Sequence, residues 1–234
     1  MKQDRGGEKV SKNITEKNIM ETILDPIYNQ AISGLPGSES AQELAKSYIS
    51  EGGTKEEQAN SLIRWQIAKC ATSGFLTGLG GLITLPVAIP ANLASVVYVQ
   101  LRMSAAIAYM GGYDPKNDKV KTFVYLCLCG NAAKDVVKDS LAVPLGKALA
   151  IAAINKVPRE VIKTINRAVG LKLVTKFGEK GVINLGKAVP LLGGVISGTM
   201  DGVTTNVIGD KAKEIFLTNT NDSAETKRYY AQKF

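Results

Sequence analysis

Arg159, Lys163 and Arg167 recur at every fourth residue, which on an α-helix places three cations on one arc, with Lys156 within it. Val161, Ile162, Ile165, Ala168 and Val169 supply an apolar side. That is the pattern of an amphipathic basic helix, and its chemistry is the recognition of anions. A second set, Lys172, Lys176 and Lys180, is also spaced by four. On one straight helix it falls on roughly the opposite face, so a shared face requires a break near Gly170. Lys156, Arg159, Lys163, Arg167, Lys172 and Lys176 are therefore the candidate lipid- or anion-binding residues. A solvated face of a soluble bundle satisfies the same pattern.

The carboxylates give a weaker signal. Asn131, Asp135 and Asp139 are spaced i, i+4, i+8, with Lys134 and Lys138 beside them. Asp201 and Asn206 interrupt an otherwise apolar stretch, as Asn92 and Gln100 interrupt another. A carboxylate such as Asp201 must find donors if it is buried. Asn92, Asn131, Asp135 and Asp201, with Lys134, are thus expected to form a buried polar network that either pins the helix register or lines a small-molecule pocket.

Enzymatic chemistry has little to work with. The chain contains no histidine, which removes imidazole triads, His-based zinc sites and the usual neutral-pH base. Cys70, Cys127 and Cys129 cannot complete an all-cysteine zinc site, and they read as small, buried, reduced hydrophobes. Gly78-Leu79-Gly80-Gly81 fails as a dinucleotide cradle, since no strand precedes it and no acidic residue follows before Asp114. There is no Walker-type GK[ST]. Aromatics are few, at 6%, and not interleaved with the basic residues, so no nucleic-acid module is visible. The expectation is no catalytic residue, no metal and no cofactor; a hydrolase using carboxylates alone is the residual enzymatic option.

Charge is unevenly placed. Of the net +8, a surplus of seven lies between Lys134 and Lys187, which holds eleven Lys/Arg against four Asp/Glu. A one-sided basic segment implies an acidic partner, whether anionic lipid, nucleic acid or an acidic protein face; with no nucleic-acid module visible, lipid or protein is expected. The N-terminus mixes both charge signs and has no apolar core of a secretory signal. With the free thiols, this places the chain in the cytoplasm, or peripherally at the inner face of the membrane.

The elements that must position these residues are helices. Ser40-Ala41-Gln42-Glu43 and Thr54-Lys55-Glu56-Glu57 read as capping boxes, and Gly34-Leu35-Pro36-Gly37 and Gly52-Gly53 as stops. One helix is expected from about Lys119 to Asp139, others beginning at Pro144, Pro158 and Pro190, the last running to about Phe216. No period-two alternation calls for a sheet. From Cys70 to Leu101 no residue is charged, longer than the about 20 residues of a membrane span. Gly80-Gly81, Pro86 and Pro90 divide that run, so two apolar helices joined by a Gly/Pro turn are expected, forming a soluble core or entering a bilayer part-way. Leu79-Gly80-Gly81-Leu82-Ile83 is echoed by Leu192-Gly193-Gly194-Val195-Ile196. Gly74 and Gly78 are four apart, as are Gly194, Gly198 and Gly202, a stripe that lets another backbone approach closely. The Gly194 stripe is expected to pack on the helix bearing Gly74 and Gly78.

The order of these glycines and prolines carries a resemblance. The stretch from Trp65 to Asp114, with Gly74, Gly78, Gly80-Gly81, Pro86, Pro90 and Ile107-Ala108-Tyr109, resembles the EcsC protein family of bacteria. Lys187, Pro190, Gly193-Gly194, Gly198 and the closing Lys211-Ala212-Lys213-Glu214-Ile215-Phe216 extend it, over roughly residues 58–217. Gly111-Gly112 before Tyr113 departs from the family's more common Tyr-Gly. The family's name comes from a protein encoded beside an ABC transporter; the resemblance implies no established catalytic activity or cofactor, and it transfers no functional residue. The resulting expectation is an all-α multi-helix bundle with Gly-rich apolar helix hairpins: a helical extension over 1–57, an EcsC-like domain over 58–217 and a polar tail over 218–234. Its expected role is non-enzymatic association with a membrane surface or lipid, accessory to a transport or defence complex. The alternative is a soluble interaction protein docking an acidic partner through its basic face.

Overall fold

The computed structural model describes residues 20–70, 91–141, 154–177 and 194–217. A π-helical turn, Met20–Leu24, leads into α1 (Asp25–Ser33), α2 (Ala41–Ser50), α3 (Lys55–Cys70) and α4 (Ala91–Met110). Then come α5 (Asp118–Cys127), a 3-10 turn (Gly130–Ala132) and α6 (Ala133–Leu141). A second 3-10 turn (Ile154–Lys156) precedes α7 (Arg159–Phe177) and α8 (Gly194–Phe216). The described residues thus form eight α-helices and no strand, as the all-α reading expects. The Gly/Pro hairpin over 71–90 lies outside them, with Gly74, Gly78 and the Leu79–Ile83 repeat.

Local chemistry sets the helix starts. Ser40 and Glu43 exchange the two bonds of a capping box: Glu43 N–H donates to Ser40 Oγ at 3.1 Å, and Ser40 N–H to Glu43 Oε2 at 2.9 Å. Thr54 and Glu57 do the same at 3.2 and 2.8 Å. The Pro158 carbonyl accepts from Ile162 N–H, so the proline ends its turn and opens α7 without wasting a donor.

α4 is the axis of the bundle, packed by α1, α2, α3, α5 and α8. Leu101, Met103 and Ile107 of α4 are fully buried, in one cluster with Leu24, Ile27, Leu44, Leu62, Phe123, Ile215 and Phe216. The helices before residue 58 therefore share the core of those after it. α1 is pinned to α5 by polar contacts as well: Tyr125 O–H donates to Asp25 Oδ1 at 2.6 Å, Lys121 pairs with the same oxygen at 2.9 Å, and the Tyr28 and Tyr125 rings meet edge-on at 5.4 Å.

Two expectations about helix continuity are corrected. The helix expected over 119–139 breaks after Cys127, because Gly130 takes a left-handed φ of 54°, and a β-carbon there would meet Val207 Cγ1 of α8 at 3.1 Å. Conversely, α7 runs unbroken through Gly170, which is buried within the helix rather than ending it. The turn after α4 explains the Gly111-Gly112 pair. A β-carbon on Gly111 would collide with the carbonyl oxygen of Phe216, while Gly112 needs its left-handed φ of 90°.

Candidate basic face

α7 divides its residues as an amphipathic helix should. Ile165 and Val169 are fully buried, Val161, Ile162 and Ala168 partly so, against α5 and α6. Arg159, Lys163, Arg167 and Lys172 of α7 are exposed, as is Lys156, which lies not on the helix as expected but in the 3-10 turn before Pro158; the Lys176 side chain lies outside the described residues. Because the helix is continuous, Lys172 does not join the Arg159–Lys163–Arg167 row but sits across the helix from it. What continues that row at the same spacing is Leu171, a large apolar side chain that is 45% exposed. Glu160 is the lone carboxylate of this helix. The apolar side of α7 is thus already used by the fold, and what remains outside is a row of cations ending in one leucine.

The expected buried polar network does not form as read. Asn131 and Asp135 are both exposed, because the turn at Gly130–Ala132 redirects the chain before α6. Asn92 and Asp201 belong to α4 and α8 by backbone, and their side chains lie outside the described residues. A polar link between these two helices does exist, about two turns beyond Asn92 and one turn beyond Asp201. Gln100 Nε2 donates to Thr205 Oγ1 at 3.2 Å, and Thr205 is itself within 3.9 Å of the Cys70 sulfur. Polarity within an apolar run was the available signal for Gln100; Thr205 gave none.

The glycine stripe is described only at its end. Gly202 is buried, and a β-carbon on it would meet Ile67 Cγ2 of α3 at 3.3 Å. Gly194 and Gly198 lie in α8 with surroundings outside the described residues. Gly209, seven residues after Gly202 and so on the same face, makes the tighter approach and was not singled out by the spacing-of-four pattern.

Among the described residues Cys70 and Cys127 are buried and Cys129 is half-buried. Burial, followed by the neighbouring Cys129, pushes the Cys127 thiol well above its ordinary range. No group of three or more His, Cys, Asp or Glu among the described residues could hold a metal ion. An open groove of about 580 Å³ runs past Ile32, Gln42, Tyr109, Tyr113 and Lys116, and none of the expected site residues lines it. No described helix is long and apolar enough to cross a membrane.

An all-α bundle with a cationic helix outside and close glycine contacts inside is the class these features define. The chain belongs to the EcsC protein family, whose match spans residues 7–218 and so takes in the N-terminal helices that the resemblance over 58–217 left out. No curated protein and no solved structure matches it.

Proposed function

We propose that this is a non-enzymatic EcsC-family protein that docks on an anionic membrane surface, at the inner face of the membrane, through the outer side of α7. The observation that carries the reading is the exposure of Lys156, Arg159, Lys163 and Arg167 while Ile165 and Val169 are buried in the bundle. Since the apolar side of α7 is occupied, the helix cannot sink into the acyl region as a free amphipathic helix would. Attraction is then electrostatic, about 1 kcal/mol per Lys or Arg near an acidic surface, with Leu171 as a small apolar contact. Flotation with neutral and anionic vesicles tests it: the chain rises with the anionic vesicles and not with the neutral ones.

The same occupied face also supports a second reading, in which the cation row docks an acidic protein surface. A row of charges without an accessible apolar side suits a polar rim contact as well as a headgroup layer. Binding to neither vesicle favours that reading. The position beside a transport or defence complex remains part of the proposal in either case.

A further inference from the structure

Arg102 is the first charge after the long apolar run, and it points inward. It lies on α4 and is only 2% exposed. Its Nη1 donates to Ser38 Oγ at 2.5 Å and to the Glu39 carbonyl at 3.1 Å, and Nη2 approaches Gln66 Oε1 of α3 at 3.5 Å, the far limit of a hydrogen bond. The guanidinium also lies 5.4 Å from the ring centre of Tyr98, one turn earlier on α4. Among the described residues no carboxylate pairs with it. Arginine cannot shed its proton to escape that situation, so the charge stays.

The neighbouring side chains deepen the deficit. Arg102 Nε, Gln66 Nε2 and the Tyr98 hydroxyl are all buried without a hydrogen-bond partner, and Gln66 and Tyr98 are 0% exposed. Buried polar atoms are nearly always paired, and here three unpaired ones fall on Arg102 and on two side chains that its guanidinium approaches. Two of the three can only donate; what is missing is an acceptor. Lys69, one turn beyond Gln66, adds positive potential, its ammonium made less basic by burial and then by Arg102. Glu39, whose backbone already bonds Arg102, is exposed and marks the side open to solvent.

We propose that Arg102, Gln66 and Tyr98 bind a phosphate group, carried by a free small molecule or by a lipid headgroup, reached past Ser38 and Glu39. Phosphate fits because several oxygens can accept from donors arriving on three different side chains, and its charge answers a guanidinium that has no carboxylate. The site is built by α3, α4 and the loop before α2, so it does not rest on the basic face of α7.

The test titrates the full chain with inorganic phosphate at ionic strength matched by chloride, by calorimetry and by thermal unfolding. Saturable binding and a phosphate-dependent rise in unfolding temperature are expected. Arg102→Met abolishes both if it folds. Tyr98→Phe keeps the test decisive, since it removes an orphan atom and leaves phosphate-free stability unchanged or higher; Gln66→Leu also takes Oε1 away from Arg102 Nη2, so its binding is read against its own phosphate-free stability. Each is expected to weaken phosphate binding about tenfold, as fits the loss of one hydrogen bond to a charged group. Vesicles bearing phosphatidic acid then identify the source. Retention lost in Gln66→Leu, in a chain already changed to glutamine at Arg159, Lys163 and Arg167, assigns the phosphate to a lipid. Binding of inorganic phosphate with retention indifferent to Gln66→Leu assigns it to a soluble ligand. A water molecule would satisfy the same donors; stability indifferent to phosphate, or binding unchanged in both Gln66→Leu and Tyr98→Phe, overturns the proposal.

Discussion

Gly209 of α8 lies so close to Ile63 of α3 that a β-carbon at residue 209 would stand 2.6 Å from Ile63 Cγ1, 2.8 Å from Cδ1 and 3.1 Å from Cγ2. Both branches of the isoleucine are involved, so turning its outer torsion cannot relieve the contact. Ile63 is itself only 3% exposed and has nowhere to retreat. Gly209→Ala therefore overpacks the α3–α8 contact, at a cost of about 1–3 kcal/mol, offset by up to about 1 kcal/mol of helix propensity. Urea unfolding of Gly209→Ala with and without Ile63→Ala measures it. The glycine change should cost less by at least about 0.5 kcal/mol once Ile63 is shortened. Equal costs in both backgrounds would sink the contact. Gly202→Ala, which among the described residues would meet Ile67 Cγ2 at 3.3 Å, should cost less than Gly209→Ala.

Those two glycines mark what sequence can and cannot supply. The capping boxes at Ser40 and Thr54 were legible because their chemistry is confined to four residues. Gly202 stands out by its spacing, though its neighbour among the described residues is Ile67 of α3, whereas Gly209 does not stand out, because spacing by seven is read only when the partner helix is known. Gly130 and Gly170 show the reverse difficulty. Each is a lone glycine in a helical pattern, yet the first ends a helix and the second is carried through one. The difference is tertiary, set by Val207 crowding Gly130. Arg102 was hidden for a related reason: α4 is apolar on nearly every side, so periodicity could not say which way its single charge points.

The basic face makes a prediction in salt. Exposed charges are screened beyond about 10 Å at 0.1 M ionic strength, so retention on anionic vesicles should fall steeply as salt is raised. Changing Arg159, Lys163 and Arg167 together to glutamine should remove about 3 kcal/mol of attraction, at about 1 kcal/mol each, roughly a hundredfold in affinity. All three are exposed, and thermal unfolding beside the parent separates any loss of fold from the loss of binding. Retention that survives both the salt and the substitution would shift the anchor to another part of the chain.

Alkaline pH should find the α1–α5 junction. Burial, then the hydrogen bond to Asp25, raises the Tyr125 phenol far above its ordinary range; burial and Asp114 raise that of Tyr28. An unfolded tyrosine ionises near pH 10 while the folded ones hold their protons, so the folded state binds more protons there. Stability is then full below about pH 10 and is lost as pH rises beyond it. Tyr125→Phe should cost about 1 kcal/mol at pH 7, since Asp25 keeps Lys121 at 2.9 Å. It should also flatten the alkaline loss between pH 9 and 11. A loss of the same slope in Tyr125→Phe would assign it to other groups.

Cys127 and Cys129 sit two residues apart, yet they should react as different chemical species. The thiolate is the nucleophile, so a thiol that resists ionisation and is closed to solvent is inert. Cys127 meets both conditions: it is fully buried, its pKa is raised by burial, and its S–H donates to the Phe123 carbonyl at 3.2 Å. Cys129 lies beyond the end of α5 and is half-buried. At pH 8 a thiol reagent in excess should label Cys129 readily, whereas Cys127 should wait for local or global opening of the bundle. Its labelling should accelerate in sub-denaturing urea in step with the fall in stability, while that of Cys129 changes little. Mass mapping of peptides after short exposures separates the two. If Cys127 is modified as fast as Cys129 in native buffer, α5 opens far more often than its burial against α4 and α7 implies.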